Sequence, residues 1–481
     1  MSPLGSERGY RSLWRSCPTD LKCIQVVRLL QQGTIADKEL SYQILINYFF
    51  FFFVFSNTIM PVNSIRYATK IDLGKPGDSQ PQVHNRWHPE VPFSEKIEPG
   101  ETVKIECLDW TGNQIKNSDN ADDLRNVDLR RIHYLSGPFY IPEARPGDCL
   151  VVEIKDVQPL ERQPWGYCGI FHKENGGGFL DKFYPECAKA VFDFEGIHAT
   201  SRHIPHAKFT GLIHPGIMGT APSLDILKKW NERELTLKSE EESIHGKTVA
   251  LMPEAVNAHA GSATGDLAAK IAREGARTIP GRPEHGGNCD IKNLSRGSKC
   301  YFPVHVEGAK FSIGDLHFSQ GDGEISFCGA IEMAGVVTLK VTIIPKGMQK
   351  LSLKSPMYIP GDVQNHYGPS RYLTFEGFSV DEEGKQHFLC AVTAYRQACI
   401  RAIEYLRKFG YNDYQIYLFL SAAPVEGHIA GIVDIPNACT TLGIPMDVFD
   451  FEIKPEAEIK KMDMGNCALV SGASHPLTYD F

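Results

Sequence analysis

The sequence predicts a mainly β protein with some α (α+β), a β-sandwich carrying a helix-containing subdomain. Three observations predict it. Gly (43) and Pro (30) are common enough in 481 residues to punctuate many turns. Several runs alternate in polarity or are rich in β-branched residues, as strands require. Convincing helical spacing is confined to a few stretches, above all the one that Thr393 opens.

Taken in order, residues 1–59 differ from the rest. They hold an apolar run ending in Phe49–Phe53, Val54 and Phe55. The run is shorter than the about twenty residues a spanning helix needs. Asp37-Lys38-Glu39 precedes it and Ser56-Asn57-Thr58 follows it, unlike a signal peptide. Globular patterning starts after Met60-Pro61, so residues 1–59 are expected to be a disordered leader or a gene-model extension, and residues 60–455 the folded catalytic region. Short strands are expected over 62–110. Thr102–Cys107 alternates at period two behind the Pro99-Gly100 turn, and Cys149–Val157 follows Arg145-Pro146-Gly147-Asp148 in the same manner, which suggests hairpins. Residues 109–126 are polar and predict a long surface loop. Ser223 is placed to cap a helix through Leu224, Leu227 and Trp230, with a charged insertion at 231–246. Strands return at 300–306 and 325–344, where Val336–Ile344 is rich in β-branched residues. Ala394, Ala398, Ala402 and Leu406 recur at four-residue spacing, Cys399 and Ile403 widen the stripe, and Gly410 stands past its end as a C-cap. Small alanines would let this helix lie close to a sheet. Residues 456–481 are expected to be a polar C-terminal tail.

Composition narrows the function classes. A net charge of −8 leaves no basic patch of the kind nucleic acids select. Between 60 and 481 no run is long and apolar enough to span a membrane. The 13 cysteines form no CxxC pair, which suits free thiols in a reducing, cytoplasmic setting better than a disulfide framework or a catalytic thiol. There is no GxSxG elbow and no GxxxxGK[ST] loop, so neither a serine hydrolase nor a nucleotide-binding enzyme is supported.

Polar residues concentrate in Glu284-His285-Gly286-Gly287-Asn288-Cys289-Asp290, in Gly314–Glu324 and at Glu332. Asp315 and His317 are two apart, so in a strand they face one side. With Glu332 from a neighbouring strand, three ligands would converge on a borderline divalent ion such as Zn²⁺ and leave a position for water. Such an ion lowers the pKa of its water to about 7. Glu324 could then take and return protons. Glycines at 286, 287, 321 and 323 would let backbone N–H groups approach a substrate oxygen. Each piece alone has a plainer reading: Asp-x-His is common, Gly-Asp-Gly-Glu is a turn, and His133, His203, His206 and His214 fit surface or hydrogen-bonded core positions.

In order along the chain, His84-Asn85-Arg86-Trp87-His88-Pro89, Asp109-Trp110-Thr111-Gly112, Ser136-Gly137-Pro138, His214-Pro215-Gly216, Glu284–Asn288, Gly314–His317, Gln320–Glu324 and Glu426–Asn437 together resemble the acetamidase/formamidase family, its fungal and plant-like formamidase branch above all. The resemblance runs from about 60 to about 455. It implies hydrolysis of formamide or acetamide to the acid and ammonia, a β-sandwich-rich fold, homo-oligomers and a divalent metal. The assignments that follow are Asp315, His317 and Glu332 for the metal, with Zn²⁺ the expected ion. Glu324, with His285 and Asp322, serves catalysis, and Gly286, Gly287 and Gln320 bind substrate. The expected partner is a small amide, with no nucleic acid and no membrane. The alternatives are an acetamidase, another short-chain amide or urea-like hydrolase, and an inactive, metal-stabilised binding protein.

Overall fold

The structure, a computed structural model, describes residues 65–240, 255–362 and 371–481. The Phe49–Phe53 run, the expected start at Met60 and positions 241–246 of the expected insertion lie outside the described residues. Residues Ile65–Phe481 form one compact unit. Strand outweighs helix two to one, 35% against 17%, as a mainly β chain requires.

One sheet has six strands, in the order Tyr67–Thr69, Thr102–Cys107, Gly335–Ile344, Cys149–Pro159, Lys299–Pro303 and Met357–Ile359. The two strands behind the Pro-Gly turns are not partners in a hairpin. They flank Gly335–Ile344, one on each side, and both pair with it antiparallel. Val337, Leu339 and Val341 face the core from this central strand, and the residues between them face away, the period-two pattern of a half-buried sheet.

The second sheet has twelve strands. Its main path runs Ile204–Thr210, His198–Ser201, Ala188–Glu195, Trp165–Ile170, Phe327–Met333, Phe311–Gln320, His214–Gly219 and Gly286–Asn288. Ile105, Val152 and Leu339 of the first sheet share one buried cluster with Phe139, Ile313, Leu316 and Phe318 of the second, so the two sheets form the expected sandwich. Phe311–Gln320 is buried along its whole length, because it has strands on both edges and packing on both faces.

The longer helices lie in the middle of the chain and toward its C-terminal end. Ser223 Oγ accepts the Ile226 N–H at 3.3 Å and opens the helix Leu224–Glu240, which extends into the expected insertion. The Ala-rich helix spans Ala391–Leu406 and starts at Cys390, three residues before Thr393, with one 3₁₀ turn before Gly410. It packs on a three-stranded sheet of Tyr372–Phe378, Asn437–Pro445 and Glu426–Asp434. A Cβ at Gly377 would sit 2.0 Å from Ala394 O, so helix and sheet are as close as backbones allow. A further helix, Asp413–Ala422, is buried all round.

Two stretches expected to be loose are packed. Within 109–126, Trp110, Ile115, Ala121 and Leu124 are buried in one cluster with Tyr167, Phe171 and Cys328. After residue 455, Met464, Cys467 and Val470 are buried, and Ala468–Leu469 pairs with Ala188–Glu195. In both, a few apolar residues anchor a polar majority.

Candidate active site

Strand pairing assembles the site. His317 stands directly opposite Glu332 across the two central strands, which puts its Nε2 3.1 Å from Glu332 Oε2. Asp315 Oδ1 is 3.4 Å from the same nitrogen. All three residues are buried. Asp315 is not in ordinary extended backbone: its φ is +57°, a conformation Asp tolerates better than most residues. The neighbouring strand His214–Gly219 carries Gly216 at the same level. A Cβ there would lie 2.7 Å from Asp315 Oδ2, 2.6 Å from Asp290 Oδ1 and 2.7 Å from His317 Cε1. Gly216 therefore leaves the space in which these groups converge, and its carbonyl accepts the Cys289 and Asp290 N–H groups.

Gln320 orients the imidazole. Its Nε2 donates to Asp290 O at 2.6 Å, which turns Oε1 toward His317 Nδ1 at 2.9 Å. In the neutral ring the proton therefore sits on Nδ1 and the Nε2 lone pair faces the carboxylates, as metal-binding histidines are commonly arranged. His214 backs the pair, its Nδ1 donating to Leu212 O at 2.7 Å and its Nε2 3.3 Å from His317 Nδ1.

A second cluster shares His317. Donor atoms of Asp290, His317 and Glu324 all lie within 4.8 Å of one another, as do those of Asp315, His317 and Glu332. Four carboxyl groups thus surround one imidazole. Burial, with the Asp315 charge, pushes Glu332 up to about 8 and Asp290 up to about 6. Burial and the Asp290 charge raise Glu324 well above the usual carboxylate range. For His317, burial alone would favour the neutral ring, but the Glu332 and Asp315 charges outweigh it and hold the ring protonated. Asp315 stays low because the His317 charge outweighs its burial. Anions crowded in this way take up protons unless a cation compensates them. His317 Nε2 and Glu332 Oε2 are close but not aligned for a hydrogen bond, and with Asp290 Oδ1 they are buried without hydrogen-bond partners. The residues present therefore fit a divalent ion: two hard oxygens and one imidazole nitrogen, all converging, all orphaned or proton-hungry.

These groups open on a cavity of about 660 Å³. Asp315, Glu324 and Glu332 reach it, Trp110, Ile279 and Phe327 form apolar wall, and His133 and Asn288 add polar atoms. Burial holds His133 neutral, down at about 4.

Of the remaining assigned residues, only Gln320 touches the cluster. His285 is a core residue between Trp87 and Trp230, ring centroids 4.6 and 4.4 Å away, with Nδ1 2.9 Å from Thr220 O. Gly286 and Gly287 form an edge strand against Met218 and Gly219, where their positive φ angles and the close Met218 carbonyl account for glycine. Asp322 is bound away from the cluster: its Oδ2 accepts from Gly427 N at 2.8 Å and pairs with the buried Lys292 Nζ at 3.0 Å. Gln320 holds side chains of the site: its Oε1 meets His214 and His317, and its Nε2 donates to Asp290 O. Asp290, Gly216 and Asn288 were given no role in the sequence, although each belongs to a motif quoted there. Their signal was proximity in sequence to polar residues, which does not separate floor from wall.

The profile of the acetamidase/formamidase family matches residues 70–451. A Schizosaccharomyces pombe protein bearing the name formamidase is 67% identical over 408 residues, 84% of this chain and 99% of its own. The formamidase of Methylophilus methylotrophus is 51% identical over 399 residues, 83% of this chain and 97% of its own. A solved γ-lactamase from Delftia acidovorans superposes with a TM-score of 0.81 at 51% identity, covering 84% of this chain and 98% of that one.

Proposed function

The chain belongs to the acetamidase/formamidase family and hydrolyses linear amide C–N bonds, and from that premise we propose that formamide is its substrate, cleaved to formate and ammonia at the Asp315–His317–Glu332 cluster. The observation that carries the location is the set of orphaned, converging donor atoms at the floor of a cavity. Asp315, His317 and Glu332 would hold a divalent ion, Zn²⁺ by donor type, which when bound supplies a Lewis acid and brings the pKa of water to about 7. Glu324, hydrogen-bonded to Asp290, is the residue that holds and moves a proton. It takes a proton from the attacking water as oxygen bonds to the amide carbon. It returns that proton to nitrogen as the C–N bond breaks, so that ammonia leaves. His133, neutral beside this cluster, keeps one N–H for a substrate oxygen. Trp110, Ile279 and Phe327 keep bulk water from one side of the cavity.

The test is ammonia release from formamide, acetamide, propionamide and urea, with metal content measured alongside. Formamide should be turned over fastest, and exhaustive chelation should remove both ion and activity, with Zn²⁺ restoring them. Full activity in metal-free protein would overturn the metal assignment and leave Glu324 and Asp290 to act alone.

A second reading is favoured by cavity size. About 660 Å³ far exceeds what formamide fills, and the γ-lactamase relative is named for a cyclic amide. γ-Butyrolactam therefore belongs in the same panel, and faster turnover of it than of formamide would invert the preference.

Self-association is part of the proposal. The hairpin Glu426–Asp434/Asn437–Pro445 exposes Ile429 (63%), Val433 (75%) and Ile435 (70%). Large apolar residues clustered on an edge strand are support for contact with a second copy. A cytoplasmic location fits the free cysteines among the described residues.

A further inference from the structure

Asn288 ends the edge strand Gly286–Asn288 and pairs with Ile217. Its Nδ2 donates to Ile279 O at 2.9 Å. That bond decides which end of the carboxamide is which, because the opposite rotamer would set Oδ1 against the Ile279 carbonyl, acceptor to acceptor. Oδ1 is therefore turned away from Ile279. It is buried and has no hydrogen-bond partner. Asn288 and Ile279 both line the cavity that Glu324, Asp315 and Glu332 reach.

Buried polar atoms are almost always paired, so an orphan on a cavity wall calls for an explanation. The two sets of converging ligands are made of carboxylate and imidazole groups, which leaves the Asn288 carboxamide oxygen to be explained. Of the donors that line the cavity, Lys182 is engaged by Glu382 and Glu383, and neither the Trp110 indole N–H nor the His133 Nδ1 makes a hydrogen bond to Asn288 Oδ1. A neutral, fixed acceptor is complementary to one chemical feature of a small amide, the N–H of its NH₂ group. An ester or a tertiary amide of the same size lacks that donor and would leave Oδ1 unpaired, which is how a site rejects a near-isostere.

We propose that Asn288 is the specificity-determining residue for the amide nitrogen: its Oδ1 accepts an N–H of the substrate's carboxamide and orients that nitrogen in the cavity. The proposal rests on the amide-hydrolase reading above. It goes beyond that reading by assigning the atom that tells a primary amide from an ester.

The experiment compares wild type with N288L on formamide, methyl formate and N,N-dimethylformamide, with melting temperature and metal content measured on the same preparations. Leu keeps the volume and removes the acceptor. The expected result is a loss of about tenfold or more in kcat/KM on formamide, corresponding to about 1.4 kcal/mol. Methyl formate and N,N-dimethylformamide should be affected little, so that the preference for the primary amide collapses. If formamide and methyl formate fall in parallel, Asn288 only supports the wall and the proposal is wrong. Unchanged turnover of formamide also overturns it. Should N288L not fold, N288A removes the same acceptor and must show the same split. A wild-type protein that releases no ammonia from formamide would defeat the substrate reading itself, a result distinct from either outcome for Asn288.

Discussion

A side chain at position 216 would meet Asp290, Asp315 and His317 at once, each within 2.7 Å of its Cβ. None of the three can yield easily, since Asp315 and His317 sit in the middle of a fully buried strand. Gly216→Ala is expected to destabilise by about 1–3 kcal/mol, the usual cost of overpacking a filled interior. It should also prevent metal binding at the proposed site, and elemental analysis beside a melting curve would read both. An Ala variant that retains full metal content would show that the cluster relaxes around the methyl group and that the gap is not needed. The convergence of Asp315, His317 and Glu332 was legible from residue type and spacing. Gly216 was not, because a missing side chain announces nothing until its neighbours are in place. His285 misled for the opposite reason: a histidine next to two glycines looks chemical, whereas its environment of Trp87 and Trp230 is apolar.

At the scale of elements, the helix Asp413–Ala422 braces the cavity. The Tyr417 hydroxyl donates to Ile325 O and accepts the Leu180 N–H, joining two segments that shape the cavity rim. Tyr417→Phe leaves the Leu180 N–H buried and unpaired, while Ile325 O keeps the Phe179 N–H, at a cost of roughly 1–3 kcal/mol. The lost brace should raise KM for formamide more than it lowers kcat, and steady-state kinetics would reveal an opposite split. This helix went unread because apolar residues surround it on every side, so it has no polar face to give a 3.6-residue period. Its start was nevertheless marked: Asn412 and Gln415 form a capping box. The Ala-rich helix, half of it facing solvent, was found from its stripe alone. Strands behaved likewise. Thr102–Cys107 and Val336–Ile344 were read from alternation and β-branching, but their pairing with each other was not, because alternation gives a face and not a neighbour.

The whole molecule poses the question of assembly. Ile429, Val433 and Ile435 project from a hairpin whose first residue, Glu426, pairs with the buried Lys292, which also binds Asp322. Docking of a second copy there would bear on the turn that carries Glu324. Ile429→Asp with Val433→Asp should turn a wild-type oligomer into a monomer in light scattering, with the fold intact by circular dichroism. Oligomers of unchanged mass would place the contact on another face. The sequence by itself determined the fold class, the family and the pool of chemical residues, because periodicity, turn residues and motif order are local properties that the chain carries before it folds. Only the tertiary structure decided which of those residues meet. Cross-strand register brings Glu332 to His317, a turn far along the chain brings Glu324 to Asp290, and a glycine on a third strand leaves them room. Those distances are set by the packing of two sheets, and no local pattern encodes them.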